Sequence, residues 1–306
     1  MKILLICLQL LLFIAIAPFL SGLITKIKNN IRMRKGQSIL QPYYNLGKLF
    51  FKEEVVSRTA SWIFRAAPFV VLGSVLTAAL MIPVFIFSSP LHKAGDFLAL
   101  VFILALGRFF LALAALDTGS SFGGMGASRE MFISSLVEPA LCLVVFSLSL
   151  QYGSTDLSLP GVNYGLSVSS LAAAVTLFLI ALAETSRIPV DNQETHLELT
   201  MVHEAMVLEY SGRSLAFMEL AAQIKQMVMF FLIAQVVFPA AWPGLGNLWQ
   251  FIIWILWYPA RIIIIAGLVA FVEVSVAKMR LFRVADFLGF AFVLGIISVI
   301  CAILGV

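Results

Sequence analysis

The sequence predicts an all-α integral membrane protein with about eight transmembrane helices. Of its 306 residues, 61% are hydrophobic and only 12% are charged, and the mean hydropathy is +1.04. Soluble domains have a roughly even apolar share, so this composition excludes a soluble enzyme. Since each spanning helix uses about 20 apolar residues, little chain is left for a soluble appendage. We therefore expect residues 1–306 to form a single membrane domain.

Eight apolar runs account for the predicted helices. They cover residues 4–24, 66–87, 97–116, 132–150, 165–183, 215–238, 248–272 and 287–304. The first run contains the sequence Ala15-Ile16-Ala17, which resembles a signal-peptide cleavage site. However, the run is too long for a signal peptide, and most of its flanking positive charge follows it. We expect a retained first helix.

The positions of Lys and Arg predict the orientation of these helices. Fifteen of these residues lie in the first, third, fifth and seventh connections, whereas the even connections hold only Lys93. Because positive charge is enriched on the cytoplasmic side of a membrane, the odd connections are predicted to be cytoplasmic. The prediction is a multi-pass protein of the cell inner (plasma) membrane with both termini outside.

Residues 40–52, in the first connection, have the pattern of an amphipathic helix. One helical face carries Leu40, Tyr43, Tyr44, Phe50 and Phe51, and the other carries Gln41, Asn45, Lys48 and Lys52. Such a helix lies at the membrane interface. It would serve either as an anchor beside acidic lipid or as a ledge on which a soluble partner docks.

The fifth connection, residues 184–213, concentrates acidic residues. It holds six of the sixteen in the chain, namely Glu184, Asp191, Glu194, Glu198, Glu204 and Glu209. Asp191 with Glu194 three residues later is typical of a capping box at a helix start. Glu194 and Glu198 would then share a helical face, and neighbouring carboxylates favour proton uptake by at least one of them. The alternative is a solvated charged loop.

We expect neither a metal centre nor another cofactor in this chain. His196 and His203 would lie about 10 Å apart along a helix, too far to bind one ion together. The cysteines Cys7, Cys142 and Cys301 are isolated in the sequence. A histidine beside Glu204 is either a proton relay or an ordinary hydrogen-bonding side chain.

Charged residues inside the apolar runs are candidates for function, because each costs several kcal/mol in a bilayer. Glu138 is the first candidate, since the following Pro139 can open the helix and admit water. Lys225 is the second and lies near mid-span. Arg108, Arg261 and Glu273 are expected nearer to helix ends, where snorkelling or structural ion pairing explains a charge equally well.

Five segments together resemble the respiratory complex I subunit 1 family, and most closely its formate hydrogenlyase and hydrogenase-4 members, the group 4 membrane-bound NiFe hydrogenases. The segments are Arg34-Lys35-Gly36 with Ile39-Leu40-Gln41 and Lys48-Leu49, Leu116-Asp117-Thr118-Gly119-Ser120, Gly126-Ala127-Ser128-Arg129-Glu130 with Glu138-Pro139, Glu184-Thr185-Ser186-Arg187-Ile188-Pro189-Val190-Asp191, and Glu209-Tyr210-Ser211-Gly212. The Gly-Ala-Ser-Arg-Glu segment favours the hydrogenase branch.

The resemblance implies a heel subunit like that of complex I. Such a subunit has eight helices, anchors the soluble large and small hydrogenase subunits, and joins them to antiporter-like membrane subunits. The implied path of coupling residues is Glu138, Glu184, Asp191, Glu194, Glu198, Glu209 and Lys225. Structural or partner-docking roles are implied for Arg34, Gln41, Lys48, Asp117, Arg129 and Arg187.

Three functions are compatible with the sequence. The first is a non-catalytic subunit that anchors a hydrogenase-type module and couples its electron transfer to proton translocation. The second is the quinone-site subunit of a complex I-like dehydrogenase. The third is a stand-alone ion transporter, which the missing internal repeat disfavours, since many transporters consist of two related halves.

Overall fold

The computed structural model describes residues 2–57, 59–82, 95–157, 167–192, 201–238 and 248–305. Within these ranges the chain forms ten helices. They are α1 (Lys2–Ile31), α2 (Gln41–Phe50), α3 (Trp62–Met81), α4 (Phe97–Asp117), α5 (Ser121–Tyr152), α6 (Val168–Glu184), α7 (His203–Val207), α8 (Gly212–Val237), α9 (Leu248–Ser275) and α10 (Leu281–Leu304). Each of the eight predicted apolar runs overlaps one of the eight long helices, which confirms the predicted fold class.

Most of the long helices satisfy the requirements for a membrane span. Among the described residues, α1, α3, α4, α5, α8 and α10 are long and apolar enough to cross a bilayer. Helix α6 is equally apolar but has only 17 residues. At 1.5 Å per residue it is about 26 Å long, slightly shorter than the hydrocarbon core of about 30 Å.

Hydrogen bonds between connections show that the helices run up and down. At one end, the backbone N–H of Ser61 donates to Asp117 (2.7 Å), and the N–H of Val55 donates to the Ser211 hydroxyl (2.8 Å). At the other end, the N–H of Phe97 donates to the carbonyl of Thr155 (3.0 Å). The odd connections, which carry the basic residues, therefore share one end of the bundle.

Side-chain caps define several helix boundaries. Ser120 accepts a hydrogen bond from the N–H of Gly123 (3.1 Å) and thereby starts α5. The predicted run begins only at residue 132, so the cap extends this helix by about three turns beyond its apolar part. Ser167 forms a capping box with Ser170 at the start of α6.

Helix α2 confirms the predicted amphipathic segment but buries a different face. Leu46, which is absent from the predicted apolar face, is its buried residue. Together with Tyr43 and Phe50 it forms an i, i+3, i+7 stripe. Phe50 packs edge-to-face on Phe217 of α8, with 5.6 Å between ring centroids. The other predicted apolar residues Leu40, Tyr44 and Phe51 are exposed.

Helix α8 is the central element of the bundle. Its most apolar 18-residue window is 72% buried, against 22% for α10 at the periphery. Phe231 of α8 packs against Phe13 of α1, with ring centroids 5.5 Å apart. In this position, α8 contacts side chains from several other helices.

Candidate functional site

Ionisable side chains from four helices meet inside the bundle. Arg108 on α4 contacts Glu138 on α5 (3.1 Å) and also donates a hydrogen bond to Glu184 at the end of α6. The second carboxylate oxygen of Glu184 lies 2.6 Å from Lys225 Nζ on α8. We call these four residues, with the neighbouring Glu130, the central cluster.

The members of the central cluster differ in burial. The Glu184 side chain is 3% exposed and contacts two cations, whereas the Glu138 side chain is 45% exposed on the outer surface of the chain. A buried carboxylate is stabilised only by such pairing. Glu184 is therefore the centre of the cluster, and Glu138 is its outer edge.

Two residues of the cluster were not among the predicted site residues. Arg108 lies in the middle of α4 rather than near a helix end, and of the two alternatives, snorkelling and structural ion pairing, its contacts agree with ion pairing. Its central position in the apolar run 97–116 was the available signal. Glu130 was noted only as part of a motif. Pro139 does not interrupt α5, which is helical from Ser121 to Tyr152.

The segment after α6 reverses direction at Ser186. The N–H of Arg187 donates to the carbonyl of Leu182 (2.9 Å) and that of Ser186 to Ala183 (3.1 Å). With Ser186 at φ +50°, these bonds form a Schellman motif. The turn sends the side chains of Glu184 and Arg187 into two different networks.

The second network joins Arg187 to α1, α8 and α9. Arg187 donates to Glu273 (3.1 Å) and to Gln226 Oε1 (2.9 Å), and Lys28 Nζ lies 2.8 Å from Glu273. All four residues are buried. The expectation of structural ion pairing for Glu273 agrees with these contacts.

Asp191 belongs to neither network. Its carboxylate, 1% exposed, accepts the N–H groups of Asn192 (2.8 Å), Val202 (3.1 Å) and His203 (3.3 Å) and lies 2.6 Å from Lys278 Nζ. Asp191 thus caps the short helix α7. The predicted capping-box partner Glu194, together with Glu198 and His196, lies outside the described residues.

The described part of the fifth connection is largely buried. Residues 181–191 are all buried, as are most of residues 201–207, so the alternative of a solvated loop does not apply there. Lys225 lies 13 residues after Gly212, about 20 Å along α8, and Glu184 reaches it from the end of α6. The connection therefore starts deep in the bundle. Glu209, in contrast, is exposed.

The remaining motif residues divide into structural and surface positions. Asp117 accepts the N–H of Ser61 at the start of α3, and Arg129 donates to the carbonyl of Met201 (3.0 Å). Gln41 donates to Asn45 (3.0 Å). Arg34 and Lys48 are exposed. Arg34 and Lys48 therefore remain available to a partner or to lipid head groups.

The segment 209–212 fastens the start of α8 to residues 53–55. The Ser211 hydroxyl donates to the carbonyl of Val55 (2.9 Å), and Gly212, at φ +54°, lies directly against the backbone of Glu53. The Tyr210 hydroxyl donates to the carbonyl of Phe64 (3.0 Å). Burial raises the pKa of this hydroxyl above its usual range, so Tyr210 remains a neutral donor.

Two adjoining cavities border these networks. The smaller, about 50 Å³, is lined by residues that include Arg108, Glu130, Glu184 and Lys225. The larger, about 370 Å³, is lined by residues that include Lys28, Arg187, Asp191, Glu219 and Glu273. Thr185, Ser186 and His203 line both. The larger cavity therefore lies at the end that holds the odd connections, and the smaller cavity lies between it and the central cluster.

Fold and site define a polytopic helical membrane protein whose bundle encloses networks of ionisable side chains. More specifically, the chain belongs to the family described as NADH dehydrogenase, which matches residues 2–304. This result confirms the family resemblance of the sequence motifs.

Two relatives are about one third identical to this chain over the residues that align with it. Hydrogenase-4 component C of Escherichia coli K12 is 34% identical over 235 residues, which cover 76% of this chain and 74% of the relative. Formate hydrogenlyase subunit 4 of the same organism is 35% identical over 236 residues, 76% of either chain. These similarities confirm the hydrogenase branch of the predicted resemblance.

A solved structure shares the fold. It is a chain of the membrane-bound sulfane sulfur reductase, an archaeal respiratory membrane complex, and matches with a TM-score of 0.82 at 20% identity. The match covers 97% of this chain and 99% of the other. The two chains therefore share one fold over nearly their whole length.

Proposed function

We propose that this chain is the non-catalytic membrane subunit of a hydrogenase-type redox complex. It anchors a soluble redox module at one end of the bundle and couples electron transfer in that module to proton translocation. The observation that carries the proposal is Glu184, held between Arg108 and Lys225 inside a membrane bundle. The similarity to hydrogenase-4 component C and formate hydrogenlyase subunit 4 supports it.

The central cluster is suited to coupling because its charges are close and poorly solvated. At an effective dielectric constant of about 20, two charges roughly 6 Å apart interact by about 3 kcal/mol, a change of roughly a hundredfold in proton affinity. A small displacement of Glu184 from either cation would therefore change proton occupancy. The turn at Ser186 links Glu184 directly to the buried fifth connection, so movement of that segment would reach the cluster.

Exposed residues at the end of the bundle that holds the odd connections suit a docking surface. Met33 and Phe51 are each 94% exposed, and they lie beside the exposed cations Arg34 and Lys48. We assign this surface to the large and small subunits of the soluble module. The charge pattern supports a cytoplasmic position for this surface, with both termini outside the plasma membrane.

The exposed position of Glu138, at the outer edge of the central cluster, supports a contact with a second membrane subunit. Glu138 is half-exposed in the middle of α5, and a carboxylate facing lipid at that depth costs several kcal/mol. An antiporter-like membrane subunit with polar groups on this face would remove that cost. Glu138 would then lead from the cluster into the neighbouring subunit.

Purification from the native membrane tests the assignment of partners. We expect NiFe-type large and small subunits and an antiporter-like subunit to co-purify with the chain. An NADH-oxidising module in their place would assign the chain to a quinone-reducing dehydrogenase. A chain that purifies without partners would instead support a stand-alone transporter.

Substitution of Glu138 tests the coupling. Glu138→Gln removes the exchangeable charge with little change in volume, so the complex in proteoliposomes should keep redox turnover but lose proton translocation. Asp286→Asn, at an exposed position of α10, is the matched amide control and should translocate normally. Normal translocation by Glu138→Gln would assign this residue a structural role.

A further inference from the structure

Three phenylalanine rings form a cluster on the surface of the bundle, near the end that holds the odd connections. Phe217 of α8 packs against Phe50 of α2 and Phe69 of α3, with ring centroids 5.6 Å and 5.3 Å apart. Phe69 is 62% exposed, and Phe50 is exposed as well. Since Phe69 and Phe217 lie near the starts of two helices that can span the bilayer, this aromatic cluster faces lipid close to the membrane surface.

Three cations surround the aromatic cluster. Arg65 precedes Phe69 by four residues on α3, and Arg213 precedes Phe217 by four residues on α8. Each arginine therefore shares a helical face with one of the rings. Lys52 lies just beyond the end of α2. All three cations are exposed, and none forms an ion pair within the part of the chain that the structure describes.

Contacts between the connections bring the three cations to one part of the surface. Gly212 packs against the backbone of Lys52, whose carbonyl oxygen would lie 3.0 Å from a Cβ at residue 212. The nearby Tyr210 stacks on Phe64 of α3, with ring centroids 4.0 Å apart. The two arginines directly follow Gly212 and Phe64 in the chain, so they lie in the same region as Lys52.

The direction of the two helices places the cations and the rings at different depths. Helical side chains lean toward the helix N-terminus, and both α3 and α8 begin at the end that holds the odd connections. Arg65 and Arg213 therefore extend toward the lipid head groups, whereas the rings one turn further along lie at the level of the acyl chains. Trp62, three residues before Arg65, is 71% exposed, as is typical of a tryptophan at a membrane interface.

Four acidic residues lie in the same region, but none pairs with these cations in the described part of the chain. Glu54 and Asp117 accept hydrogen bonds at the starts of α8 and α3, respectively. Glu53 and Glu209 are exposed in the connections, before α3 and α8 begin. The cations are thus available to an anion at the level of the first helical turns.

We propose that Lys52, Arg65 and Arg213 bind the phosphate of an anionic phospholipid whose acyl chain packs on the aromatic cluster. Such lipids give a membrane surface the negative charge that attracts clustered Lys and Arg residues. A soluble protein could contact the cations, but the aromatic cluster belongs to spanning helices and is reached by an acyl chain. The bound lipid would hold the end of α2 against α3 and α8. This inference does not depend on the proposed function.

Lipid titration of the intact complex in detergent, followed by native mass spectrometry, tests the site. Each cation near an anionic head group contributes about fivefold in affinity. The double variant Arg65→Gln with Arg213→Gln should therefore bind phosphatidylglycerol about 30-fold more weakly, with binding of zwitterionic phosphatidylcholine unchanged. If the double variant does not assemble, each single variant should show about a fivefold loss.

Arg280→Gln with Arg283→Gln is the matched control. This variant also removes two exposed arginines, at the start of α10, beside the exposed Phe282. It should retain the binding of phosphatidylglycerol. An equal loss of affinity in both double variants would mean that the lipid responds only to overall positive charge, and the site would be refuted.

Photo-crosslinking tests the position of the acyl chain. Phosphatidylglycerol with a diazirine in its acyl chain should label peptides that contain Phe69 or Phe217. Unlabelled phosphatidylglycerol should compete, whereas phosphatidylcholine and inorganic phosphate should not. Labelling confined to other helices would overturn the role of the aromatic cluster. If Arg65→Gln with Arg213→Gln instead releases a soluble subunit and binds the lipid normally, the surface belongs to a protein partner and the proposal is wrong.

Discussion

Glu184 shows how one residue depends on partners from distant parts of the sequence. It ends α6, yet its carboxylate contacts Arg108, 76 residues away, and Lys225 on α8. Removing one partner of a buried ion pair costs more than the pair itself contributes, because a charge is left without compensation. Substitutions at this position therefore test the packing of the whole cluster.

We predict that Glu184→Gln destabilises the chain by about 3 kcal/mol, since two poorly solvated cations lose their shared carboxylate. Glu138→Gln, at the exposed edge of the cluster, should cost less than about 1 kcal/mol. Thermal unfolding of both purified variants in detergent measures the difference. Equal destabilisation by the two substitutions would contradict the assignment of Glu184 as the centre of the cluster.

The sequence predicted part of this site at the level of residues. Glu138, Glu184 and Lys225 were expected on one path, and Arg108 brings them together. Asp191 was expected on the same path, and in the structure it pairs with Lys278, outside the central cluster. Such contacts depend on how each helix is rotated about its axis, and hydropathy alone does not determine that rotation.

At the scale of elements, the fifth connection behaves as part of the core. Asp191 accepts three backbone N–H groups of this segment and contacts Lys278 beyond α9. It thereby holds the turn after α6, the start of α7 and the α9–α10 connection together. The same carboxylate lines the larger cavity.

We expect Asp191→Ala to destabilise the fifth connection by about 3–5 kcal/mol, because the substitution leaves buried N–H groups and Lys278 without their acceptor. Hydrogen exchange of residues 185–192 and 201–207 should become faster, and proteolysis in these two segments should increase. Glu209→Ala, at an exposed position of the same connection, is the control and should change stability by less than about 0.5 kcal/mol. Unchanged exchange in Asp191→Ala would show that other contacts hold the segment.

The start of α8 gives a second prediction for this element. Gly212 has φ +54°, and a Cβ at this position would lie 2.5 Å from the carbonyl oxygen of Glu53. We expect Gly212→Ala to lower the unfolding free energy by more than about 1 kcal/mol, through both steric conflict and the left-handed backbone.

Gly47 in α2 is a matched control, because a Cβ there meets no atom within 4 Å. Gly47→Ala should raise stability by up to about 1 kcal/mol, through its higher helix propensity. Thermal unfolding of both variants measures the contrast. A Gly212→Ala variant as stable as Gly47→Ala would mean that residues 53–55 are not fastened to α8.

The elements themselves were largely predictable from the sequence, because runs of apolar residues determine where spanning helices form. The exceptions follow from side chains rather than hydropathy. Ser120 extends α5 by a cap, and Leu46 rather than Leu40 or Tyr44 faces the bundle in α2. Burial of the fifth connection could not be predicted from the sequence. It depends on where α6 ends, which is level with Lys225 inside the bundle.

At the scale of the whole molecule, the alternating helices place the odd connections at one end and the even connections at the other. Fifteen Lys and Arg residues lie in the odd connections, and one lies in the even connections. Such an asymmetry orients multi-pass proteins with the basic end in the cytoplasm. The larger cavity, which lies at the basic end, would then face the cytoplasm.

We predict that Lys35→Cys and Ser154→Cys, both at exposed positions, are labelled from opposite sides of the membrane. The background is a chain in which Cys7, Cys142 and Cys301 are replaced by serine. A membrane-impermeant maleimide should reach Ser154→Cys in intact cells and Lys35→Cys only in inverted vesicles. A reporter fused after Val306 should lie on the same side as Ser154→Cys, because α10 runs away from the basic end.

Labelling of Lys35→Cys in intact cells would reverse the orientation and place the larger cavity outside. In that case the soluble redox module could not dock at Arg34 and Lys48, and the proposed function would have to be abandoned.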